Sequence, residues 1–274
     1  MRAPEATPVT LARMHSPQGL DGGEASAAAR VRFEARYGRP LFCADWEYFA
    51  LLHFEIDPAV LQPHVPFKLD LHAGKAWVSL VAFEQRNVRW PRLPRASRLL
   101  TAPTTEHRFL NLRTYVTHRG EPGIHFLAEW VSNPLARILG PLLYGLPYRL
   151  ARLRYAFREG CFDASAHGVG RGRFAVQGVY DPPGAQVTVE ERARAAFLLE
   201  RYTAFNVRFG KPVRFRIWHA PWELARMRID ALDTSLPQRA YKWWDAARFA
   251  CAQFSRGVFG VWIGPPEPLA GFRA

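Results

Sequence analysis

Apolar and polar side chains alternate along much of this chain. In FLNLRTYVTH, Leu110, Leu112, Thr114 and Val116 oppose Asn111, Arg113, Tyr115 and Thr117. A period of two places the sets on opposite faces of a strand. Arg119 to Gly123 then turns the chain into IHFLAEWV, a second apolar run, so the segment predicts a hairpin. In YRLARLRYAFR, Leu153, Tyr155 and Phe157 face away from Arg152, Arg154 and Arg158. PVRFRIW and LARMRID repeat the device with Arg214, Arg216, Arg226 and Arg228. These arginine faces are either the wet outside of a sheet or the wall of a polar cavity.

Other strands are expected where aromatic density is high. LFCADWEYFALLHFEI reads as a strand or strand pair, and KLDL and AWVSLVAFEQ read as two strands joined by the turn His72 to Lys75. RFACAQF and VFGVWIG read as a last hairpin around Ser255-Arg256-Gly257. Helical signals are fewer. Asp57-Pro58 opens one turn, and Asn133-Pro134 starts a short amphipathic helix interrupted or ended by Gly140-Pro141. Thr188-Val189-Glu190-Glu191 is a capping box ahead of a longer helix. Residues 1–30, rich in Ala, Pro, Gly and Ser, read as a flexible tail. Without repeats or a linker beyond it, residues 31–274 are expected to form one α+β domain, mainly antiparallel β.

The composition supports a core that needs no staple: 49% of the 274 residues are hydrophobic. Cys43, Cys161 and Cys251 are odd in number and far apart, so neither a disulfide framework nor a zinc site is expected. The N-terminal segment lacks the apolar run of a signal peptide, and no stretch is long enough to span a membrane. The expected compartment is the cytoplasm.

The net charge of +13 suggests a polyanion partner, but its make-up argues otherwise. Only Lys68, Lys75, Lys211 and Lys242 among the 37 basic residues are lysine, a bias expected of a GC-rich genome. The densest basic cluster, Arg86, Arg89, Arg92, Arg95 and Arg98, surrounds Trp90 in a proline-punctuated stretch. No nucleic-acid-binding motif accompanies it, so binding of nucleic acid or an acidic partner is only the alternative function.

The sequence has no phosphate loop, no nucleophile elbow and no zinc-protease helix. The glycines of GVGRGRF precede a strand-like run rather than a helix, which removes the dinucleotide reading. His118 and His125 flank the hairpin turn near Glu129, a spacing that suits exposed histidines better than a metal, and no cofactor is expected. His219, between Trp218 and Trp222, either lines a pocket or is a satisfied core residue.

The ordered blocks FEIDPAVLQPHVP, GKAWVSLVAFEQRNV, LNLRTYVTHRGEPGIHFL, YGLPYRLARL, LLERYTAFNV and HAPWEL resemble the YqjF-like family of uncharacterised bacterial proteins. The resemblance implies the acetoacetate decarboxylase-like architecture, curved antiparallel sheets around a central cavity with a few peripheral helices. In that superfamily the decarboxylase carries its Schiff-base lysine in a Gly-Phe-Pro-Lys-Lys-Leu-Ala type segment after a short helix. Here the similar segment runs from Gly145 to Ala151, with Tyr148 in the place of the nucleophile and Arg149 in that of its cationic neighbour. A phenol cannot condense with a ketone to an imine. What the resemblance leaves is anion recognition by Arg149 and by Asn111 and Arg113, with Glu129 as a candidate acid/base. The expected ligand is a small organic or keto acid, bound or converted without imine chemistry. A third reading is an interaction protein whose cavity is filled by its own aromatics.

Overall fold

The computed structural model describes residues 22–91, 106–168, 172–182 and 188–269. The strands are β1 (Phe42–Ile56), β2 (Lys68–Leu69), β3 (Ala76–Arg89), β4 (His107–His118), β5 (Glu121–Val131), β6 (Tyr148–Arg158) and β7 (Cys161–Gly168). They continue as β8 (Arg173–Tyr180), β9 (Thr203–Arg208), β10 (Lys211–Trp218), β11 (Ala225–Asp233), β12 (Arg248–Ile263) and β13 (Glu267–Pro268). The helices are α1 (Gly22–Tyr37), α2 (Pro58–Leu61), α3 (Pro134–Tyr144), α4 (Val189–Leu199) and α5 (Ser235–Ala240). No helix among these residues is long and apolar enough to cross a membrane.

The strands close into two rings that share a wall. One ring runs β5-β6-β7-β8-β11-β12-β1-β3-β4 and back to β5, and the other runs β5-β9-β10-β12-β1-β3-β4 and back to β5. The pairing is antiparallel except where β5 meets β6 and β9. The shared wall β12-β1-β3-β4-β5 has a core on each side. In β3, Val78, Leu80 and Ala82 face the first core with Leu52, Leu112, Leu153 and Phe174, while Trp77, Val81 and Phe83 face the second with Phe49, Phe109, Leu198 and Phe215. Every residue from Ala76 to Glu84 is therefore buried, which explains an apolar run there instead of clean alternation.

The predicted hairpin is β4–β5, paired from Phe109↔Val131 to His118↔Glu121. The capping box is formed: Thr188 Oγ1 accepts from the Glu191 amide at 3.1 Å, and the Glu191 carboxylate accepts from the Thr188 amide at 2.8 Å. The arginine faces of β6 and β11 look outward, and Arg214 and Arg216 of β10 pair with Glu121 at 3.0 and 2.7 Å.

Four expectations are corrected. The stretch expected as a tail contains the start of α1, anchored by buried Ala29 and Phe33 and by Ser26 Oγ donating to the His219 carbonyl at 2.7 Å; residues 1–21 lie outside the described residues. Ser255-Arg256-Gly257 is no turn, since β12 runs through it as one strand. Gly257, at φ +128°, lies so close to β1 that a Cβ would sit 2.1 Å from the Trp46 carbonyl, and the strand bends there instead of reversing. KLDL does not fold back on β3; β2 pairs with Thr117 and Val116 of β4. Finally, α3 continues past Pro141 to Tyr144, closing with the Gly145 amide on the Pro141 carbonyl at 3.0 Å.

Candidate functional site

Strand register places the polar residues of the second ring in a row. Asn111 of β4 lies opposite Glu129 of β5, and Glu129 lies opposite Tyr148 at the start of β6. The remaining members of that row are apolar or neutral: Asn111 follows Val81, Leu51 and Gln253 across the wall. Arg113 stands two residues along β4, on the same face. Asn111, Arg113, Glu129 and Tyr148 all line one cavity of about 90 Å3 inside the second ring.

Arg149 does not join them. Alternation along β6 turns it to the opposite side, exposed, where it donates to the Tyr241 hydroxyl at 3.2 Å with its guanidinium over the Trp130 and Tyr241 rings. All four lysines, Lys68, Lys75, Lys211 and Lys242, are exposed, and none lines the cavity.

Arg201 and His219 also reach the cavity. Arg201 is 7% exposed, held by Asp70 at 2.6 Å and stacked on Phe197 at 4.3 Å. Its sequence context, LLERYTAF, gave no sign of this, because it reads as the end of α4. His219 had a signal in its flanking indoles: its ring stacks on Tyr202 at 4.7 Å and meets Trp222 at 5.0 Å. Nδ1 of His219 donates to the Ala220 carbonyl at 2.8 Å, which leaves Nε2 as the acceptor of the neutral ring. Above the polar row, Phe49, Phe83 and Phe109 stack at 4.5 and 5.1 Å and form an aromatic wall.

The polar atoms around this cavity are incompletely partnered. Asn111 Oδ1, Arg113 Nε, Glu129 Oε2 and Trp222 Nε1 are all buried with no hydrogen-bond partner. Buried polar groups are ordinarily satisfied, so four orphans around one void mark a place built to receive something. A larger depression of about 450 Å3 lies over the outer face of β6, β7, β8 and β11, and none of the residues lining it has an orphaned buried atom.

Electrostatics follow from burial. Desolvation pushes the Glu129 carboxyl well above its ordinary value, against the opposing pull of Arg113 and a hydrogen bond from Asn111. Burial likewise raises the Tyr148 phenol, and the nearby Glu129 raises it further. His219 is pushed down to about 4, by burial first and by Arg113 among the rest. Arg113 donates to the Leu198 carbonyl at the end of α4 at 3.3 Å, and no carboxylate among the described residues lies within ion-pairing distance of it. The cavity thus presents an available cation, a carboxyl whose charged form burial disfavours, a phenol and, at neutral pH, a neutral imidazole. Among the described residues, no group of three or more His, Cys, Asp or Glu side chains is placed to hold a metal.

Solved structures share this architecture. An acetoacetate decarboxylase-like enzyme from Sphingomonas wittichii aligns with a TM-score of 0.60 at 18% identity, covering 84% of this chain and 93% of that one. The enduracididine biosynthesis enzyme MppR, complexed with the condensation product of pyruvate and imidazole 4-carboxaldehyde, aligns at 0.60 and 13%, covering 84% and 89%. Acetoacetate decarboxylase from Legionella pneumophila aligns at 0.58 and 12%, covering 94% and 93%. The fold is therefore α+β, with curved, mainly antiparallel sheets and few helices, and is acetoacetate decarboxylase-like. In sequence, the uncharacterized protein YqjF of Bacillus subtilis is 30% identical over 181 residues, 65% of this chain and 73% of that protein. Residues 43–258 match DUF2071, described as an uncharacterized conserved protein, and this chain belongs to that family.

Proposed function

We propose that the cavity binds a small organic acid, and a keto acid in particular, without forming an imine to the protein. One observation carries this: the part-buried Arg113 guanidinium, whose buried Nε has no partner and which pairs with no carboxylate among the described residues, lines the same void as three other orphaned polar atoms. A ligand carboxylate would satisfy Arg113 through charge-assisted hydrogen bonds, and a second oxygen would accept from Trp222. Glu129 supports the binding of an anion because burial disfavours its charged form, the one that would repel the ligand. At about 90 Å3 the cavity is far below the ~300–1,000 Å3 of drug-sized pockets, so the ligand has few non-hydrogen atoms. The bound pyruvate of MppR, a neighbour in fold alone, agrees with that size and charge.

Imine chemistry is disfavoured because Tyr148 occupies the expected position and every lysine points to solvent. Arg149 has no role in this reading, since it faces away from the cavity. The alternative of a nucleic-acid or acidic-partner surface gains nothing: Arg86 is paired with Glu84 at 2.6 Å and Arg89 with Asp45 at 3.0 Å, while Arg92, Arg95 and Arg98 lie outside the described residues.

The test is calorimetric titration with pyruvate, 2-oxobutyrate, phenylpyruvate and succinate, repeated on Arg113→Ala. At least one acid binds the wild type, and the variant loses that binding. Borohydride treatment with the same acids leaves the lysines unmodified. Absence of binding by the whole panel sinks the ligand class, and a reduced adduct on any lysine sinks the non-covalent chemistry.

A further inference from the structure

We infer that this cavity is a proton-transfer site, in which Glu129 gives a proton to the carbonyl oxygen of a bound keto acid while His219 takes one from the adjacent carbon. The inference rests on the binding reading above and adds an activity and two roles to it.

Placement comes from the ring. Glu129 projects from β5, and His219 follows the end of β10, which the ring order separates from β5 by β9 alone and sets across the barrel from β4. Both line the same cavity as Arg113 of β4, on which the ligand is held. Each has the free atom its role requires. Glu129 is 4% exposed and its Oε2 has no partner. In His219 the bond from Nδ1 to the Ala220 carbonyl fixes the tautomer, and the lone pair is on Nε2. Three rings, those of Tyr202, Trp222 and Trp46, hold the imidazole in place.

The step balances within these groups. The lone pair of His219 Nε2 takes a proton from the carbon next to the ketone, and the C–H electron pair becomes the carbon–carbon double bond. The carbonyl π pair moves to oxygen, which takes the proton of the Glu129 carboxyl. The products are the enol, an imidazolium and a carboxylate. The new carboxylate is stabilised by the Asn111 amide, whose hydrogen bond already favours its charged form. Arg113 disfavours the imidazolium while its own charge is uncompensated, and the ligand carboxylate neutralises it. The base is therefore strengthened by the binding of its substrate. The enol also donates a hydroxyl hydrogen, which a keto acid lacks, and Asn111 Oδ1, opposite Glu129 on the neighbouring strand, is an unpartnered acceptor lining the same cavity. The enol thus satisfies an orphaned atom that the ketone leaves bare, and the cavity favours the transformed molecule over the starting one.

The experiment follows loss of the C3 proton signals of pyruvate and 2-oxobutyrate by NMR in D2O, with the intact protein and calorimetry on the same samples. Wild type accelerates exchange above the buffer rate. Glu129→Gln and His219→Gln each lower the accelerated rate by about 100-fold or more while still binding the acid, and Arg149→Ala changes neither reading. On the acid side the wild-type rate falls as His219 takes up a proton, whereas a residue that only shaped the pocket would leave no such limb. Binding without accelerated exchange, or exchange unaffected in both variants, overturns the proton-transfer assignment and leaves the binding site standing. Failure of the whole acid panel to bind overturns the binding reading and this inference with it.

Discussion

Glu129→Gln exchanges a buried carboxyl, whose charged form burial disfavours, for an amide of the same size, and its effect on stability depends on pH in a defined way. Burial raises the carboxyl above its ordinary value near 4.5, so the folded protein holds this proton more tightly than the unfolded chain does. Such a group favours folding fully below the unfolded value, and the contribution is lost as pH rises, because the unfolded state ionises first. The slope is at most about 1.4 kcal/mol per pH unit, continuing until the folded carboxyl itself ionises. Above about pH 5 the wild type therefore loses stability through this residue with each further unit of pH, a loss that matters because a domain has only ~5–15 kcal/mol in all. The variant has no such proton. Urea denaturation of both proteins across this range isolates Glu129, since subtracting one curve from the other cancels every group they share. Glu129→Gln should gain on the wild type steadily as pH rises, even though it loses the proposed proton transfer. Parallel curves would mean that the carboxyl ionises as in water, and the reasoning about a dry, neutral acid would be wrong.

The histidines act in the opposite direction. Burial lowers His53 to about 3 and His219 to about 4 and depresses His125 as well, so below the unfolded value of 6.5 each costs up to about 1.4 kcal/mol per pH unit, and fluorescence-monitored unfolding should begin well above pH 4. Gly140→Ala should destabilise by about 1–3 kcal/mol in urea and weaken acid binding, because its methyl would lie 2.4 Å from the Tyr148 ring. Thr188→Ala removes the cap of α4 and should cost about 1 kcal/mol in the same assay without altering binding.

Local features were legible where local physics decides them. The β4–β5 hairpin follows from strict alternation around a turn, and α4 begins where the capping box requires. The strand pairings with distant partners were not legible, because no local signal tells β2 to choose β4 over β3. Gly257 shows the same limit: Ser-Arg-Gly has the composition of a turn, and only the carbonyl of Trp46, far away in sequence, makes it a bend in a continuous strand. In the site, the positions on one strand face, Asn111 and Arg113, could be paired from sequence, and Glu129 and Tyr148 prove to share their cavity. Arg149 was proposed from its place in the Gly145–Ala151 segment, but alternation puts neighbours on opposite faces, so Tyr148 and Arg149 could not both face inward. Arg201 was missed because it enters the cavity from the end of a helix and carries no pattern of its own.

The role of β12 in both rings bears on how the polypeptide matures during synthesis. This strand spans residues 248–263, and until it has left the ribosome neither ring can close, although the other ten long strands, among them its partners β1, β10 and β11, have already been made. The growing chain meanwhile exposes the unpaired edges of β1, β10 and β11, which invite wrong partners. Closure by so distant a segment is slow for reasons of topology. A nascent chain of this protein should therefore engage holding chaperones until termination, and release just short of Arg248 should yield insoluble product instead of a smaller working fold.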